Sequence, residues 1–393
     1  MKPHSVRPSW LFSACVLWTH EVALAVPFGN AIFRQRLDHA QKLQEKLNPP
    51  GIHVEDPSKI QTFCKQRLDH FDHSNGKLWC QRFVADATYF QAKGPVFLCL
   101  DGEDRPWGRG GKAHTLTCNN MVELAPRFGA LLVALEHRYY GGMDFDGVPD
   151  FSTPNLRYLS SRQALADANA FKSFLEAKLR LEGSPWVAFG GSYSGALAAW
   201  VRQLYPEAFA AAVASSAPVE AQLNFQGYFN VVASTLTASS VGGSPACLAT
   251  ILNGHQEAAR RLGSSEGRRF LEQQFHLCGK NPLEVRKNVA GWAGMGLVTT
   301  TQYNSNRCSS TSCNVGLLCS TLARLRAETS SDLEAVIRLH HLQEAEVGAT
   351  ECADVSWDAW LDTLKLTEKV NTSSPLADSQ HGGLHQHWAL GVI

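Results

Sequence analysis

The chain has 393 residues, 44% of them hydrophobic types, and its 36 Lys plus Arg are balanced by 36 Asp plus Glu. That much apolar material can build a large core, which excludes a disordered or coiled-coil chain. A formal net charge of +0 gives no electrostatic basis for binding nucleic acid, and no apolar run reaches the roughly 18 residues of a membrane span.

Lys2 and Arg7 form a short basic region, Trp10 to Trp18 a mostly apolar one, and Ala23-Leu24-Ala25 a small-residue cleavage site before Val26. This is the grammar of a signal peptide over 1–25, and it implies the secretory pathway. His20 and Glu21 interrupt it. The alternative is a buried first helix, for which Lys2-Pro3-His4 is a poor start. There are 11 cysteines, and losing Cys15 with the leader leaves an even number for disulfides. Cys308, Cys313 and Cys319 lie close together without C-x2-C spacing, so disulfides or plain thiols are expected there and no metal. Asn371-Thr372-Ser373 is the single N-glycosylation sequon.

Residues 31–47 have helical apolar spacing at Ile32, Leu37, Leu43 and Leu47, and Asn48-Pro49-Pro50-Gly51 stops that helix. The string QRLDH occurs at 35–39 and again at 66–70. From 94 the pattern becomes α/β. VFLCL (96–100) and ALLVALE (130–136) read as buried strands, and 160–181 as a long helix stopped by Gly183. Trp186 to Phe189 reads as a strand, 190–195 as a tight turn, 196–204 as a helix and 211–214 as a strand. Strands alternating with helices argue for a parallel sheet covered on both faces. After about 218 the texture turns helical, over 250–290 and 320–345. The stretch from 291 to 393 is otherwise weakly periodic and of uncertain order.

The sharpest local signal is Gly190-Gly191-Ser192-Tyr193-Ser194-Gly195 between a strand and a helix. A serine on such a turn projects Oγ clear of its own backbone, and small flanking residues let the turn close. Ser192 is therefore the candidate nucleophile. The Tyr193 N–H, at the helix N-terminus, is the candidate oxyanion donor. The competing reading is a Gly/Ser-rich loop without chemistry, or one that binds phosphate. Glu103 and Asp104 follow a strand end, where a carboxylate could hold the free amino group of a substrate. His137 just follows the second strand and is a candidate base, with a structural histidine linking loops as the favoured reading, and Arg138 is expected to pair with a carboxylate rather than to touch substrate. Neither metal-ligand spacing nor a dinucleotide fingerprint is present, so no cofactor is expected.

Several strings together resemble the family of lysosomal Pro-Xaa carboxypeptidase, dipeptidyl-peptidase II and thymus-specific serine protease. They are QRLDHF (66–71), WCQRF (79–83), GPVFLCLDGED (94–104), LEHRYYG (135–141), LRYLSSRQALAD (156–167), GGSYSGALAAW (190–200) and ASSAPV (214–219). Their texture is most similar to the thymus-specific branch. The resemblance implies an α/β-hydrolase fold with a mostly parallel sheet and a helical cap. It also implies a Ser-Asp-His triad in that chain order and peptide substrates, often cut next to proline near a terminus. A lysosomal or endosomal address follows, with secretion as the alternative. Ser192 takes the nucleophile's place and Tyr193 the oxyanion donor's. Ser194 stands where relatives carry Gly or Ala.

The aspartate string N-G-x-x-D-P-W and the histidine string S-H-C of that family do not occur between 281 and 393. The nearest approximations are Asp354 and Asp358, and His381, His385 and His387, in unlike contexts, so the triad Asp and His are unassigned. Hence a second expectation, an inactive relative that at most binds peptides. The organisation read from sequence is a leader over 1–25, a candidate propeptide over 26–62, the hydrolase core over 63–217, a helical cap over 218–290 and a divergent tail over 291–393.

Overall fold

The computed structural model describes residues 60–103, 118, 120–140, 153–223, 225–293, 297–349 and 352–359. They fall into two compact units, one ending at Ala221 and one starting at Gln222. The first holds a six-stranded sheet of β1 (Gln61–Arg67), β2 (Leu78–Asp86), β3 (Val96–Leu100), β4 (Leu131–Leu135), β5 (Trp186–Gly191) and β6 (Ala211–Ser215). Its order is β1-β2-β4-β3-β5-β6, with β1/β2 and β2/β4 antiparallel and the remaining pairs parallel. The fold is α/β-hydrolase-like.

The two central runs explain why the sheet is covered twice. Every residue of β3 and β4 is buried, as expected of parallel strands with helices on both faces. Leu98, Leu100, Val133 and Leu135 face one side. There they meet Phe171 and Leu175 of α3 (Ser161–Leu179) and Leu197 and Val201 of α4 (Ser192–Leu204). Phe97, Leu132, Ala134 and Phe189 face the other, against Met121 and Ala125 of α1 (Met121–Phe128). A short α2 (Thr153–Leu156) precedes α3, whose N-cap Ser160 accepts from the Gln163 N–H. The Cys99–Cys118 disulfide ties β3 to the segment before α1, and Cys64–Cys80 ties β1 to β2.

β1 and β2 precede the point at which the sequence pattern turns α/β. Their buried positions include Gln66, Gln81 and Arg82, so the strands lack the apolar run or alternation that marks β3 and β4. The helix after the glycine-rich turn also starts earlier than its apolar run, at Ser192 and not at Ala196.

The second unit is helical: α5 (Gln226–Thr237), α6 (Pro245–Arg261), α7 (Ser265–Gln274), α8 (Arg286–Ala293), α9 (Val298–Gln302), α10 (Val315–Ala327) and α11 (Asp332–Glu346). Ser244, Ser264, Asn314 and Ser331 cap α6, α7, α10 and α11 through their side chains. α6 and α11 form its spine. They bury Ile251, Ala335 and Leu339 in one cluster, and Ala258, Leu333 and Ile337 in another. α9 lies in the weakly periodic stretch after 291, while α10 and α11 overlap the 320–345 run that reads as helical. Glu346 accepts from the hydroxyls of Ser310, Thr311 and Ser312 and from the Thr311 N–H, at 2.7–3.1 Å. These bonds, three from side-chain hydroxyls and one from a backbone N–H, tie 310–312 to the end of α11. Cys247–Cys319, Cys278–Cys352 and Cys308–Cys313 are bonded. Among the described residues no helix is long and apolar enough to cross a membrane.

Candidate active site

Ser192 sits where β5 ends and α4 begins, with a left-handed φ of 57°. A non-glycine residue at positive φ is held there by its surroundings. Gly190 has no room for a side chain, since a Cβ would lie 2.0 Å from the Ser194 carbonyl oxygen. At Gly195 a Cβ would lie 2.8 Å from the Ser215 carbonyl oxygen, which brings β6 close behind the turn. Ser194 accounts for the residue that departs from the usual small-residue pattern. Its Oγ accepts from the Gly191 N–H at 3.1 Å and donates to the Gly191 carbonyl at 2.9 Å, closing the turn from within. Gly102, just past β3, packs against Ser194, with its virtual Cβ 3.4 Å from the Ser194 Cβ.

The Tyr193 N–H belongs to the first turn of α4 and has no intrahelical acceptor. The phenol of Tyr193 is 3.1 Å from His137 Nε2, and His137 Nδ1 is 2.8 Å from the Arg138 carbonyl oxygen. A carbonyl only accepts, so Nδ1 carries the proton and Nε2 accepts from the Tyr193 hydroxyl. Burial lowers the His137 pKa to about 4, so the ring is neutral at neutral pH. Both nitrogens are thus committed to structure. Among the described residues no imidazole hydrogen-bonds the Ser192 hydroxyl.

Arg138 is buried and uses its whole donor fork. Nε and Nη2 donate to Asp167 at 2.6 and 2.8 Å, Nη1 to the carbonyls of Leu68 and Tyr158 at 3.0 and 2.8 Å, and Nη2 to the Arg67 carbonyl at 3.3 Å. His70 Nε2 is 2.7 Å from Asp167 Oδ1. Gln66 donates to the Asp167 carbonyl and to Gln81, Gln81 to the Glu136 carbonyl, and Arg82 pairs with Glu136 at 2.9 Å. One buried polar network therefore joins four of the strings noted in the sequence, QRLDH (66–70), WCQRF, LEHRYYG and LSSRQALAD. Sequence reasoning placed only the arginine's pairing. The available signal was the density of Gln, Arg and Asp inside strand-like runs.

Glu103 lies at the end of β3 and acts by its charge on the phenols of Tyr140 and Tyr193. Tyr140 is buried, and its hydroxyl has no hydrogen-bond partner among the described residues. Asp354 accepts from the Ser356 N–H at 2.8 Å in a local turn of the helical unit, and Asp358 is exposed. Asp104, Asn371, His381, His385, His387, the candidate leader and the first QRLDH copy lie outside the described residues.

Comparison with known proteins places these features in context. The serine carboxypeptidase S28 family model matches residues 66–380. A Caenorhabditis elegans protein that carries a serine protease's name is 34% identical over 363 residues, which cover 90% of this chain and 69% of that protein. Mouse thymus-specific serine protease is 38% identical over 255 residues, covering 63% of this chain and 49% of the protease. Mouse lysosomal Pro-X carboxypeptidase is 30% identical over 240 residues, covering 58% and 46%. The match thus spans about half the length of the two mouse relatives. A solved acetyl xylan esterase from Thermoanaerobacterium shares 14% identity over 72% of this chain and 77% of its own, at a TM-score of 0.27. That likeness adds nothing to the topology already described.

Proposed function

Because the chain belongs to the serine carboxypeptidase S28 family, we propose that it acts as a serine-type peptidase with Ser192 as nucleophile. The observation that carries this is the elbow itself, a serine held at φ 57° on the first residue of α4. Its Oγ would attack the scissile carbonyl. The Tyr193 N–H, with a second donor from the backbone next to Gly102, would hold the oxyanion where the helix dipole favours negative charge. An imidazole oriented by a carboxylate would take the proton. The proposed substrates are peptides cut next to proline near a terminus. Five disulfides and lysosomal relatives favour the secretory pathway, with a lysosomal or endosomal destination and secretion as the alternative.

One observation favours a second reading, that of an inactive relative that binds peptides. The Ser192 hydroxyl has no imidazole partner among the described residues, and an unassisted serine hydroxyl is a poor nucleophile. A fluorophosphonate probe separates the two. An elbow without its base retains only roughly 10³–10⁴-fold catalysis over water, so slow labelling, lost in Ser192→Ala, is what the inactive reading expects. Fast labelling lost in Ser192→Ala would mean that a base reaches the site. No labelling at all would leave the peptide-binding reading.

A further inference from the structure

The residue that supplies the oxyanion N–H is also held by its side chain, at the far end of its ring. We infer that His137 is a positioning residue for the elbow: by accepting from the Tyr193 hydroxyl it fixes the orientation of the Tyr193 backbone N–H, and so sets where an oxyanion is held. The inference rests on the elbow reading and names what aligns its donor.

The support can be followed bond by bond. Asp167 of α3 accepts from Arg138 Nε and Nη2 at 2.6 and 2.8 Å. The Arg138 carbonyl in turn accepts from His137 Nδ1 at 2.8 Å, and His137 Nε2 lies 3.1 Å from the Tyr193 hydroxyl. The backbone that carries His137 has little freedom to shift. The Tyr140 N–H donates to the His137 carbonyl at 3.2 Å, and Tyr139 is held at a left-handed φ of 71°. The His137 and Tyr193 rings lie beside one another with centroids 5.6 Å apart, and Tyr193 packs against the core on the α3 and α4 side of the sheet.

The direction of the central bond is fixed. Burial pushes the Tyr193 phenol well above its ordinary pKa and holds the His137 ring neutral, so the phenol donates and Nε2 accepts. A tyrosine side chain has few rotatable bonds, so a ring anchored at its hydroxyl constrains the backbone at its other end. Ser194 restrains the same turn from the following residue, through its two bonds to Gly191. The Tyr193 N–H itself lies in the first turn of α4, where the helix ladder offers it no acceptor. Its direction is therefore set by these side-chain ties, and a donor that need not reorient during reaction is worth the most.

The test uses the full chain and the variants Tyr193→Phe, His137→Leu, the two together, and His137→Gln. Tyr193→Phe removes only the donated hydroxyl, so it serves even if His137→Leu does not fold. His137→Gln keeps an oxygen that can accept from the phenol. Backbone hydrogen exchange is followed over 190–197, with β4 as the reference. Losing one bond should speed exchange over 190–197 by about 10-fold in Tyr193→Phe and in His137→Leu, with β4 unchanged. The double variant should lose no more than either single one, since both remove the same bond, and His137→Gln should stay near the wild type. In fluorophosphonate labelling, Tyr193→Phe should lower the maximal rate by about 10-fold, less than the roughly 10²–10³ of losing a donor outright. The probe concentration at half-maximal rate should not change. Unchanged exchange over 190–197 in Tyr193→Phe, a rise shared equally by β4, additive losses in the double variant, or an effect on the half-maximal concentration alone overturns the inference. A wild type that does not label at all removes Ser192 as nucleophile while exchange still decides the role of His137, so the two failures are distinguishable.

Discussion

At the scale of single residues, the turn is built by exclusion. Ser192 keeps its left-handed backbone because Gly190 and Gly195 admit the neighbouring chain so closely, and because Ser194 ties Gly191 at both its N–H and its carbonyl. Gly190→Ala would put a methyl group 2.0 Å from a backbone oxygen that cannot retreat. Overpacking of this kind costs about 1–3 kcal/mol. The expected result is a lower urea midpoint and loss of any probe labelling. His137 gives a pH signature. Its pKa falls from 6.5 to about 4 on burial. Between those values the unfolded chain binds more protons than the folded one, so stability rises with pH through that window and is lost as pH falls. The contribution is at most roughly 3 kcal/mol. The stability–pH curve of His137→Gln should be flatter than the wild type's between pH 4 and 6.5. Curves of equal slope would contradict a neutral, buried His137.

Among the elements, the strand pair β1/β2 is joined to β4 and α3 by charge. Arg138 and Asp167 are both buried, and removing one partner of such a pair costs about 3–5 kcal/mol, because the other is left uncompensated. Arg138→Met should therefore yield little folded protein, while Arg138→Met with Asp167→Leu should recover part of the loss. Chemical denaturation of the single and double variants checks this. β6 is the last strand of its sheet, and Ala211 and Ala214 are exposed on it. Its outer side has no strand partner among the described residues, and AAVAS carries no charge to discourage pairing with another chain. Ala211→Lys should slow the growth of light scattering at constant stability. An unchanged rate would move the origin of self-association elsewhere.

For the whole molecule, the two units carry separate cores and separate disulfides. Every described disulfide joins residues of one unit. Cys247–Cys319 and Cys278–Cys352 close loops of 72 and 74 residues within the helical unit. Long loops are where a cross-link most restricts the unfolded chain, and losing such a bond costs about 2–5 kcal/mol. Unfolding is expected in more than one transition, since units with separate cores need not unfold together. Cys247→Ser with Cys319→Ser should move the transition of the helical unit and leave that of the sheet unit in place. A single transition displaced as a whole would show that the two units unfold as one.

The sequence by itself determined what is local. VFLCL and ALLVALE were legible as buried strands because an apolar run needs no partner to be recognised. GGSYSG was legible as a turn because Gly190 answers to Ser194 four residues away, although the contact that holds Gly195 comes from Ser215 on β6. Only the tertiary structure decided the rest. β1 and β2 were hidden because Gln66, Gln81 and Arg82 belong in a core only when Asp167, Gln81 and Glu136 come to meet them, from 15 to 101 positions away. The same holds for the family-like strings. Read as text they marked kinship. In the fold four of them form a polar lock, while GGSYSG makes the turn and Gly102 and Ser215, from two others, pack against it. The pairing of ten cysteines is likewise a property of folded distance, since spacing along a chain does not say which two sulfurs meet. His137 shows the division most plainly. As a residue type it could be a base, and only its two hydrogen-bond partners, one a carbonyl and one a hydroxyl, make it a strut.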